Sequence, residues 1–292
     1  MKLHYQKEFL HWVSERESIR QKRLLGEKAP WTRDPILRTY RFCNVRRRDD
    51  RVSQWIINHI ITPYAGHPNL WIMLGLARYL NWPPTITALI EMRLWPLKKN
   101  PDWEAIGAFL DLRVKEGVQV YTGAYMIRAE SNHDAEWYSW GKGRYVAEVV
   151  VGGLWADRAA VTPGLGRSVE AAWAAVKGHY GWGSFMAGQL VADLTYTPLL
   201  DNAPDLYTWA PLGPGSRRGL NRMHRQELTK VWSQDAAVEV MRHLRELILS
   251  ELGLSFREMT LHDVQNCLCE VDKYLRVKSG EGRPRSLYRS AV

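Results

Sequence analysis

A stretch with the sequence GPGSRRG begins at Gly213 and is a candidate anion site. Closely spaced glycines such as Gly213 and Gly215 let a loop present consecutive backbone N–H groups to an anion. Ser216 adds a hydroxyl, while Arg217 and Arg218 add guanidinium groups that suit forked contacts with phosphate. An ordinary surface turn requires neither adjacent arginines nor three glycines. The pattern therefore predicts a loop that binds a phosphate or pyrophosphate.

A second glycine-containing segment, YGWGSFMA, has the form of a helix, a glycine turn and another helix. Gly181 and Gly183 permit positive φ, and a helix that begins near Ser184 exposes amide donors at its start. Such a turn can hold a DNA phosphate through backbone N–H groups and the helix dipole, as helix-hairpin-helix proteins do. Two glycines before a helix also mark simple tight packing, so both interpretations stay open.

Acidic residues follow this turn at Asp193, Asp201 and Asp205. In glycosylase-like folds a catalytic aspartate follows the hairpin at about this distance, which makes Asp193 a candidate catalytic residue. The alternative for each of the three is a helix cap or a surface carboxylate.

Polar groups alternate with aromatic residues near the N-terminus, at Asn44, Arg47, Asp50 and Arg51. These side chains could form a buried network in which Asp50 is a catalytic carboxylate. The alternative is that Asp50 and Arg47 pair along one helical face.

Another acid and base stand close together near the C-terminus, in LCEVDKYLR. Glu270 and Lys273 are three residues apart, which places them on one side of a helix. They are candidate catalytic residues, although spacing alone describes an intrahelical ion pair.

The chain contains 14 tryptophans, and most of them should be core residues because of their large area. Trp31 and Trp209 lie near basic clusters, where an indole could stack on an extruded base.

The balance of charge favours a polyanionic partner. Forty Lys and Arg against 31 Asp and Glu give a net charge of +9, and basic side chains that neutralise phosphates release condensed counterions. The basic residues cluster around Arg46 and Arg51, around Arg217 and Arg225, and over residues 273–289. Double-stranded DNA is therefore the expected partner.

Other classes of site are not indicated by the sequence. Three cysteines without a CxxC spacing suggest free thiols in a reducing compartment. No metal-binding, GxxxxGK[ST], GxGxxG or GxSxG motif is present, so we expect neither a metal nor a cofactor. The charged N-terminus and the absence of a long apolar run predict a cytoplasmic protein without a membrane segment.

Helical periodicity dominates the chain and predicts an all-α fold. Helices are expected over residues 5–25, from about residue 35, and over 169–178, 184–194, 225–252 and 260–276. Residues 118–127 could be a strand or a buried helix. We expect one helical domain over residues 1–278, with two lobes as an alternative. The basic tail over 279–292 should be ordered only against a partner, with Arg283 and Arg285 as DNA contacts.

Several of these segments together resemble a family of phage DNA-modification proteins. The matching stretches, in chain order, are RESIR, PWTRDPILRTYRFCNVRRRDDRV, VQVYTGAYMI, GWGSFMAGQLVADL, WAPLGPGSRRGLNR, LCEVDKYLR and GRPR. They resemble the helical domain of phage 5-hydroxymethyluracil DNA kinases and the α-glutamyl/putrescinyl-thymine pyrophosphorylase-like proteins, which include amino acid:DNA transferases. Arg46 and Arg48 depart from the family pattern, where an aromatic and an acid are expected.

The resemblance implies a glycosylase-like helical fold and a reaction on hypermodified thymine. A kinase, a separate protein that acts earlier, converts the hydroxymethyl group to a pyrophosphate ester, and a second protein displaces pyrophosphate with an amine. Because this sequence lacks the kinase motif, it resembles the second protein, with a free amino acid, glycine for instance, as the nucleophile.

The resemblance also implies roles for individual residues. Asp193 or Glu270 would accept the proton of the amine, and Arg47 or Arg51 would hold the amino-acid carboxylate. The matched stretch adds Asp34 as a candidate substrate-binding residue. The competing functions are a base-excising DNA glycosylase and a non-catalytic DNA-binding partner of the kinase.

Overall fold

The chain is helical throughout the computed structural model, which describes residues 3–123, 127, 136–284 and 287. Extended pairing within these residues is limited to isolated bridges between Tyr40 and Leu287 and between Lys177 and His179. The prediction of an all-α fold is confirmed, while the glycosylase-like arrangement stays a prediction. No helix in the described ranges is both long enough and apolar enough to span a membrane.

The α-helices have the following bounds: α1 Gln6–Leu24, α2 Pro35–Thr39, α3 Arg51–Ile56, α4 Leu70–Leu80, α5 Pro83–Glu91, α6 Trp103–Lys115, α7 Lys142–Arg144, α8 Gly152–Ala156, α9 Arg158–Leu165, α10 Val169–Val176, α11 Ser184–Leu194, α12 Pro214–Met223, α13 Gln234–Leu252 and α14 Leu261–Lys278. Short 3₁₀ or π turns lie at Arg47–Asp49, Ile57–Ile61, Glu136–Ser139, Tyr145–Val151 and Leu254–Phe256.

The helices form two compact units. The first combines Met1–Asp50 with Leu206–Val292, and the second is Arg51–Asp205. The division of the sequence into a domain over 1–278 and a tail over 279–292 stays a prediction.

Helix α1 of the first unit forms where the sequence predicts it. Phe9, Trp12, Val13 and Ile19 recur at helical spacing and are buried along one face. The chain leaves the helix before Gly26, which has a φ of 73°, a conformation that glycine adopts without a steric penalty.

Helix α14 is the central element of the first unit, because α1, α12 and α13 all pack against it. It begins with a capping box: Thr260 Oγ1 accepts a hydrogen bond from Asp263 N at 3.2 Å, and Asp263 Oδ2 accepts one from Thr260 N at 2.9 Å. Most of its side chains are buried, including several charged ones.

The prediction of a loop at GPGSRRG is wrong, because residues Pro214–Met223 form helix α12. Pro214 occupies the first turn, where its missing N–H leaves no hydrogen bond unmade. The fully buried Ser216 hydroxyl accepts a hydrogen bond from Gly213 N at 3.0 Å and donates to Gly213 O at 3.0 Å. Local capping therefore converts the stretch into a helix start.

Glycines in this stretch allow α12 to approach α14 closely. A Cβ on Gly215 would lie 2.3 Å from Cys269 Sγ, and one on Gly219 would lie 2.3 Å from the backbone oxygen of Leu268. Both glycines are therefore explained by helix packing.

The second unit is built around two strongly buried helices, α4 and α11, which pack against each other. Helix α10 leads into α11 through the predicted glycine turn. Gly181 has a φ of 79°, and a Cβ there would lie 2.6 Å from Val150 Cγ1. Trp182 Nε1 donates to Val150 O at 2.9 Å. Packing thus accounts for Gly181, and a DNA contact at this turn stays a prediction.

Two segments differ from expectation. Helix α13 begins only at Gln234, because Arg225 has a positive φ of 50° and Ser233 Oγ caps the later start by accepting from Ala236 N at 3.2 Å. Residues 118–123 form neither helix nor strand, and 124–126 lie outside the described residues.

The start of the C-terminal tail packs on its own chain, which corrects the expectation that it is ordered only against a partner. Glu281 accepts two hydrogen bonds from Arg222, at 2.9 and 2.6 Å. This charged pair ties residues next to α14 back to α12.

We predict that Gly219→Ala destabilises the protein by ~2 kcal/mol or more, because the added methyl group meets backbone rather than a movable side chain. Gly153→Ala is the matched control, since a Cβ there meets no atom within 4 Å; it should be neutral or stabilising by up to ~1 kcal/mol. Urea denaturation measures both. Equal stabilities of the two variants would contradict the close packing of α12 on α14.

Candidate active site

A group of polar side chains gathers around α14 in the first unit. We call it the α14 polar cluster and define it as Arg16, Asn44, Asp50, Glu270 and Lys273. Asn44 is its hub: its backbone N donates to Asp50 Oδ1 at 2.7 Å, and its side-chain oxygen accepts from Arg16 Nη2 at 2.6 Å. Four of its five members were predicted as site residues from the sequence.

Side chains of α14 fix the segment that carries Asn44 and Asp50. The backbone N of Cys43 donates to Glu270 Oε2 at 3.0 Å, and the backbone N of Arg47 donates to Asp263 Oδ1 at 2.8 Å. A segment that lacks regular structure needs such partners for its buried amides. Helix α14 therefore supports the segment that carries Asn44 and Asp50, and such support from a regular element is what a catalytic site requires.

The carboxyl group of Asp50 has a perturbed protonation equilibrium. Burial raises its pKa to about 6, and the nearby negative charge of Glu270 acts in the same direction. The hydrogen bond from Asn44 N and the charges of Arg47 and Arg16 oppose this rise. A carboxylate with a pKa near neutral is suited to proton transfer.

Glu270 and Lys273 form an ion pair on one side of α14, as their spacing allows. Glu270 is 2% exposed, whereas about a third of the Lys273 side chain is exposed. Burial alone would lower the pKa of Lys273, but the adjacent Glu270 outweighs it and the pKa is raised overall. Lys273 is therefore a permanent cation at the edge of the cluster.

The three cysteines are free, and two of them border the cluster. Burial raises the pKa of the Cys43 thiol well above its usual value and that of Cys269 to about 11. Glu270 acts in the same direction on both. Both groups are therefore neutral thiols at physiological pH and poor nucleophiles.

Arg47 lies below the surface, with 9% of its area exposed. Burial, together with the positive charge of Arg47, lowers the pKa of the buried His262 to about 3. A guanidinium among core residues is poorly placed to bind a substrate carboxylate. The burial of Arg47 therefore does not support its predicted role of holding the amino-acid carboxylate.

Residues of the GPGSRRG stretch serve mainly the interior of the first unit. Ser216, besides its contacts with Gly213, accepts a hydrogen bond from Gln265 at 3.0 Å. Arg218 Nε donates to Asp272 Oδ2 at 3.1 Å, yet 40% of the Arg218 side chain is exposed. Within the predicted anion site, the guanidinium of Arg218 is therefore both partly exposed and held in position by Asp272.

Trp31 lines two adjoining cavities of about 290 Å³ and 560 Å³, and Asp34 lines the larger one. The cavities also share Pro30, Thr32 and Arg38. The indole of Trp31 is fixed by a 2.6 Å hydrogen bond from its Nε1 to Glu27 O.

Asp34 is the N-cap of α2: its Oδ1 accepts from Ile36 N at 2.8 Å and from Leu37 N at 3.0 Å. Its Oδ2 accepts from Tyr274 Oη at 2.7 Å and lies 3.0 Å from His11 Nε2. Burial would raise the pKa of Asp34, but these donors, the Tyr274 hydroxyl foremost, hold it below its usual value. Asp34 therefore orders the wall of the cavity.

Asp193 lies in the second unit and is fully buried. Its Oδ1 accepts from Arg78 Nη2 at 2.5 Å, and Oδ2 pairs with Arg78 Nε. Arg78 also donates to Ser53 Oγ at 2.9 Å and to Asn81 Oδ1 at 3.2 Å. This bidentate pair favours a structural role, and the catalytic role of Asp193 stays a prediction that the geometry does not support.

The other predicted substrate residues do not join the cluster. Trp209 is 4% exposed and belongs to the core of the first unit, which disfavours stacking on a base. Arg51 is exposed at the start of α3 in the second unit.

The predicted DNA contacts occupy varied positions. Gly181 and Gly183 are exposed at the turn before α11, whose first residue, Ser184, is half-buried. Arg217 is half-buried on α12 and Arg283 is exposed after α14, while Arg285 lies outside the described residues. DNA binding by these positions stays a prediction.

Two groups in the site were missed by sequence reasoning. Arg16 is 7% exposed and donates from Nε to Cys43 O at 3.0 Å. Its position four residues after Trp12 and three before Ile19, on the apolar face of α1, was the available signal. Tyr274 follows Lys273 directly, but it contacts Asp34, which lies 240 positions earlier in the sequence. A contact at this separation produces no recognisable sequence spacing.

The fold is an all-helical domain, and its first unit carries a cluster of charged and polar side chains around α14. Residues 4–283 match the family model described as the helical domain of 5-hmdU DNA kinase, and the chain belongs to that family. A 5-hmdU DNA kinase of Bacillus phage SP10 is 26% identical over an alignment of 293 residues. The alignment covers 91% of this chain and 44% of that relative. The chain thus spans less than half of the relative's length. No solved structure matches the chain.

We predict that Asp50→Asn stabilises the protein above pH 6. Because folding raises the pKa of this carboxyl from 3.8 to about 6, the folded state binds its proton more tightly than the unfolded chain does. Stability is therefore lost as the pH rises through this window, by up to ~3 kcal/mol. Asparagine mimics the protonated form and still accepts from Asn44 N.

The difference in unfolding free energy between this variant and the parent should shrink as the pH falls below 6 and vanish only below 3.8, the pKa of the unfolded chain, as measured by urea denaturation at several pH values. Asp49→Asn is the control: Asp49 lies 3.3 Å from Arg20 in an ion pair, so its loss should cost at most ~1 kcal/mol. A pH-independent effect of Asp50→Asn would contradict the raised pKa.

We predict that Asp193→Asn lowers the unfolding free energy by ~3–5 kcal/mol, because Arg78 is left as a buried charge with a weakened partner. The double variant Arg78→Met, Asp193→Leu should recover much of this loss, since it removes both charges. Urea denaturation measures the unfolding free energy of both variants. A loss below about 1 kcal/mol for the single variant would argue against a structural role.

Proposed function

We propose that this domain transfers a free amino acid to a modified thymine in DNA and releases pyrophosphate. The proposed DNA substrate carries 5-pyrophosphomethyl-deoxyuridine. The observation that supports the proposal most is the α14 polar cluster, in which Asp50 has a pKa of about 6 beside Glu270 and Lys273. The relation to a phage 5-hmdU DNA kinase supports the context of thymine hypermodification.

The proposed step is a substitution at the 5-methylene carbon. The ammonium group of the free amino acid first releases one proton to solvent. The neutral amine then attacks this carbon and forms a C–N bond, and the C–O bond to pyrophosphate breaks with its electron pair on the leaving oxygen. The ammonium formed then releases one proton to Asp50. Since the carboxyl of Asp50 is ionised above pH 6, it can accept this proton at neutral pH.

Cations near the cluster could stabilise the charge that develops on pyrophosphate. Lys273 is partly exposed on α14, and Arg218 is partly exposed on the neighbouring α12. Arg218 pairs with Asp272, which is the residue before Lys273 on α14. This ion pair holds Arg218 beside the part of α14 that carries Lys273. We assign the leaving group to these two residues rather than to a glycine loop.

The reacting carbon lies on the major-groove edge of a stacked base, and we propose that the base is flipped out so that an enclosed site can surround both this carbon and the leaving group. The net charge of +9 supports the required attraction to DNA. Arg51 and Arg283 are exposed basic residues suited to phosphate contacts. The pyrophosphate ester itself would come from a kinase reaction, for which this sequence contains no GxxxxGK[ST] motif.

The test is incubation of the protein with duplex DNA carrying 5-pyrophosphomethyl-deoxyuridine and a mixture of amino acids. Nucleosides obtained by digestion should include one that is heavier by a single amino-acid residue, with an equal amount of pyrophosphate released. Asp50→Asn should lower the rate by ~100-fold or more, while Asp49→Asn serves as the control near the parent rate. Mass spectrometry and a pyrophosphate assay provide the readouts.

Other outcomes identify the competing functions. Release of a free base with an abasic site would identify a glycosylase instead. DNA binding without any mass change, with every amino acid and polyamine tried, would leave a non-catalytic partner of a kinase and overturn the proposal.

A further inference from the structure

We propose that the cavities beside Trp31 form the binding site for the free amino acid. This inference rests on the proposed function and adds the location of the second substrate. For these cavities we use the name Trp31 pocket, and Arg38 lies at their junction because it lines both.

The charges in the Trp31 pocket match a zwitterion. Its larger cavity is lined by basic groups, among them Lys22 and Arg38, and by the carboxylates of Glu15 and Asp34. An amino acid carries one charge of each sign and can satisfy both kinds of group at once. With Arg33 the lining has three cations against these two carboxylates, so a DNA phosphate is the competing occupant that the experiments below separate from an amino acid.

The smaller cavity offers space for the substrate's side chain. Its volume of about 290 Å³ lies at the small end of ligand pockets. Ile19, Leu37 and Trp31 provide apolar walls, while Arg38 stands at the boundary to the charged cavity. We infer that Arg38 pairs with the substrate carboxylate and that Glu15 faces the ammonium group.

Sequence neighbours place the Trp31 pocket next to the α14 polar cluster. On α1, Glu15 lines the pocket and Arg16 belongs to the cluster. On α14, Lys273 belongs to the cluster, and Tyr274 donates to Asp34 in the pocket wall at 2.7 Å. The pocket and the cluster are therefore held by neighbouring residues of the same two helices, α1 and α14.

The first experiment measures binding rather than turnover. Equilibrium dialysis of the full chain with labelled glycine, and then with each other proteinogenic amino acid, is done with and without duplex DNA carrying 5-hydroxymethyl-deoxyuridine, which lacks the leaving group. Arg38→Gln should weaken binding about tenfold or more, as expected for a lost charged hydrogen bond. Arg41→Gln is the matched control, because Arg41 is exposed and lines neither cavity.

The second experiment is the transfer assay with the same variants. Arg38→Gln should raise KM for the amino acid with little change in kcat or in DNA affinity. Transfer with an unchanged KM in this variant would overturn the pocket and leave the proposed function standing. Binding that Arg38→Gln abolishes, without transfer by the parent protein, would support the pocket and contradict the proposed function.

Two further results would overturn the pocket. One is the absence of amino-acid binding both with and without DNA. The other is a loss of DNA affinity in Arg38→Gln while amino-acid binding stays intact, which would make the Trp31 pocket a DNA contact.

Discussion

The buried carboxylate of Glu270 accepts a hydrogen bond from the backbone of Cys43 and pairs with Lys273 on α14. The position of the segment that follows Cys43 depends on this contact, because the segment has little regular structure of its own. Asn44 then orients Asp50 through its backbone N–H. A loss of the Glu270 carboxylate would therefore affect both the packing of the first unit and the placement of its acid–base groups.

The same contact brings two carboxylates close enough to influence each other. Burial and the charge of Glu270 raise the pKa of Asp50, so the folded state pays an electrostatic cost at neutral pH. Such a cost persists where surrounding packing compensates for it, and the close approach of α12 to α14 at Gly215 and Gly219 is part of that packing. Stability and the proposed chemistry of the first unit are thus opposed at Asp50.

The second unit uses a buried charge differently. Arg78 and Asp193 neutralise each other in a bidentate pair, with further hydrogen bonds to Ser53 and Asn81. A carboxylate whose two oxygens both face one guanidinium has little capacity to accept a substrate proton. Burial alone therefore does not identify a catalytic acid, and the partners of each carboxylate decide its role.

The sequence by itself determined the all-α fold, the course of α1, α11 and α14, and the candidacy of Asp50 and Glu270. These features depend on helical periodicity and on residue types within short stretches, which act locally. Sequence reasoning also located the glycine turn before α11, although packing against Val150 explains its geometry.

Only the tertiary structure decided which polar residues meet. Arg16 bonds to Asn44 across 28 positions and Glu270 to Cys43 across 227 positions, and contacts between residues so far apart leave no local pattern in the sequence. The GPGSRRG stretch became a helix because Ser216 caps it and its glycines fit against α14. The partner that disfavours a catalytic role for Asp193 is also distant in sequence, because Arg78 lies 115 residues earlier in the chain.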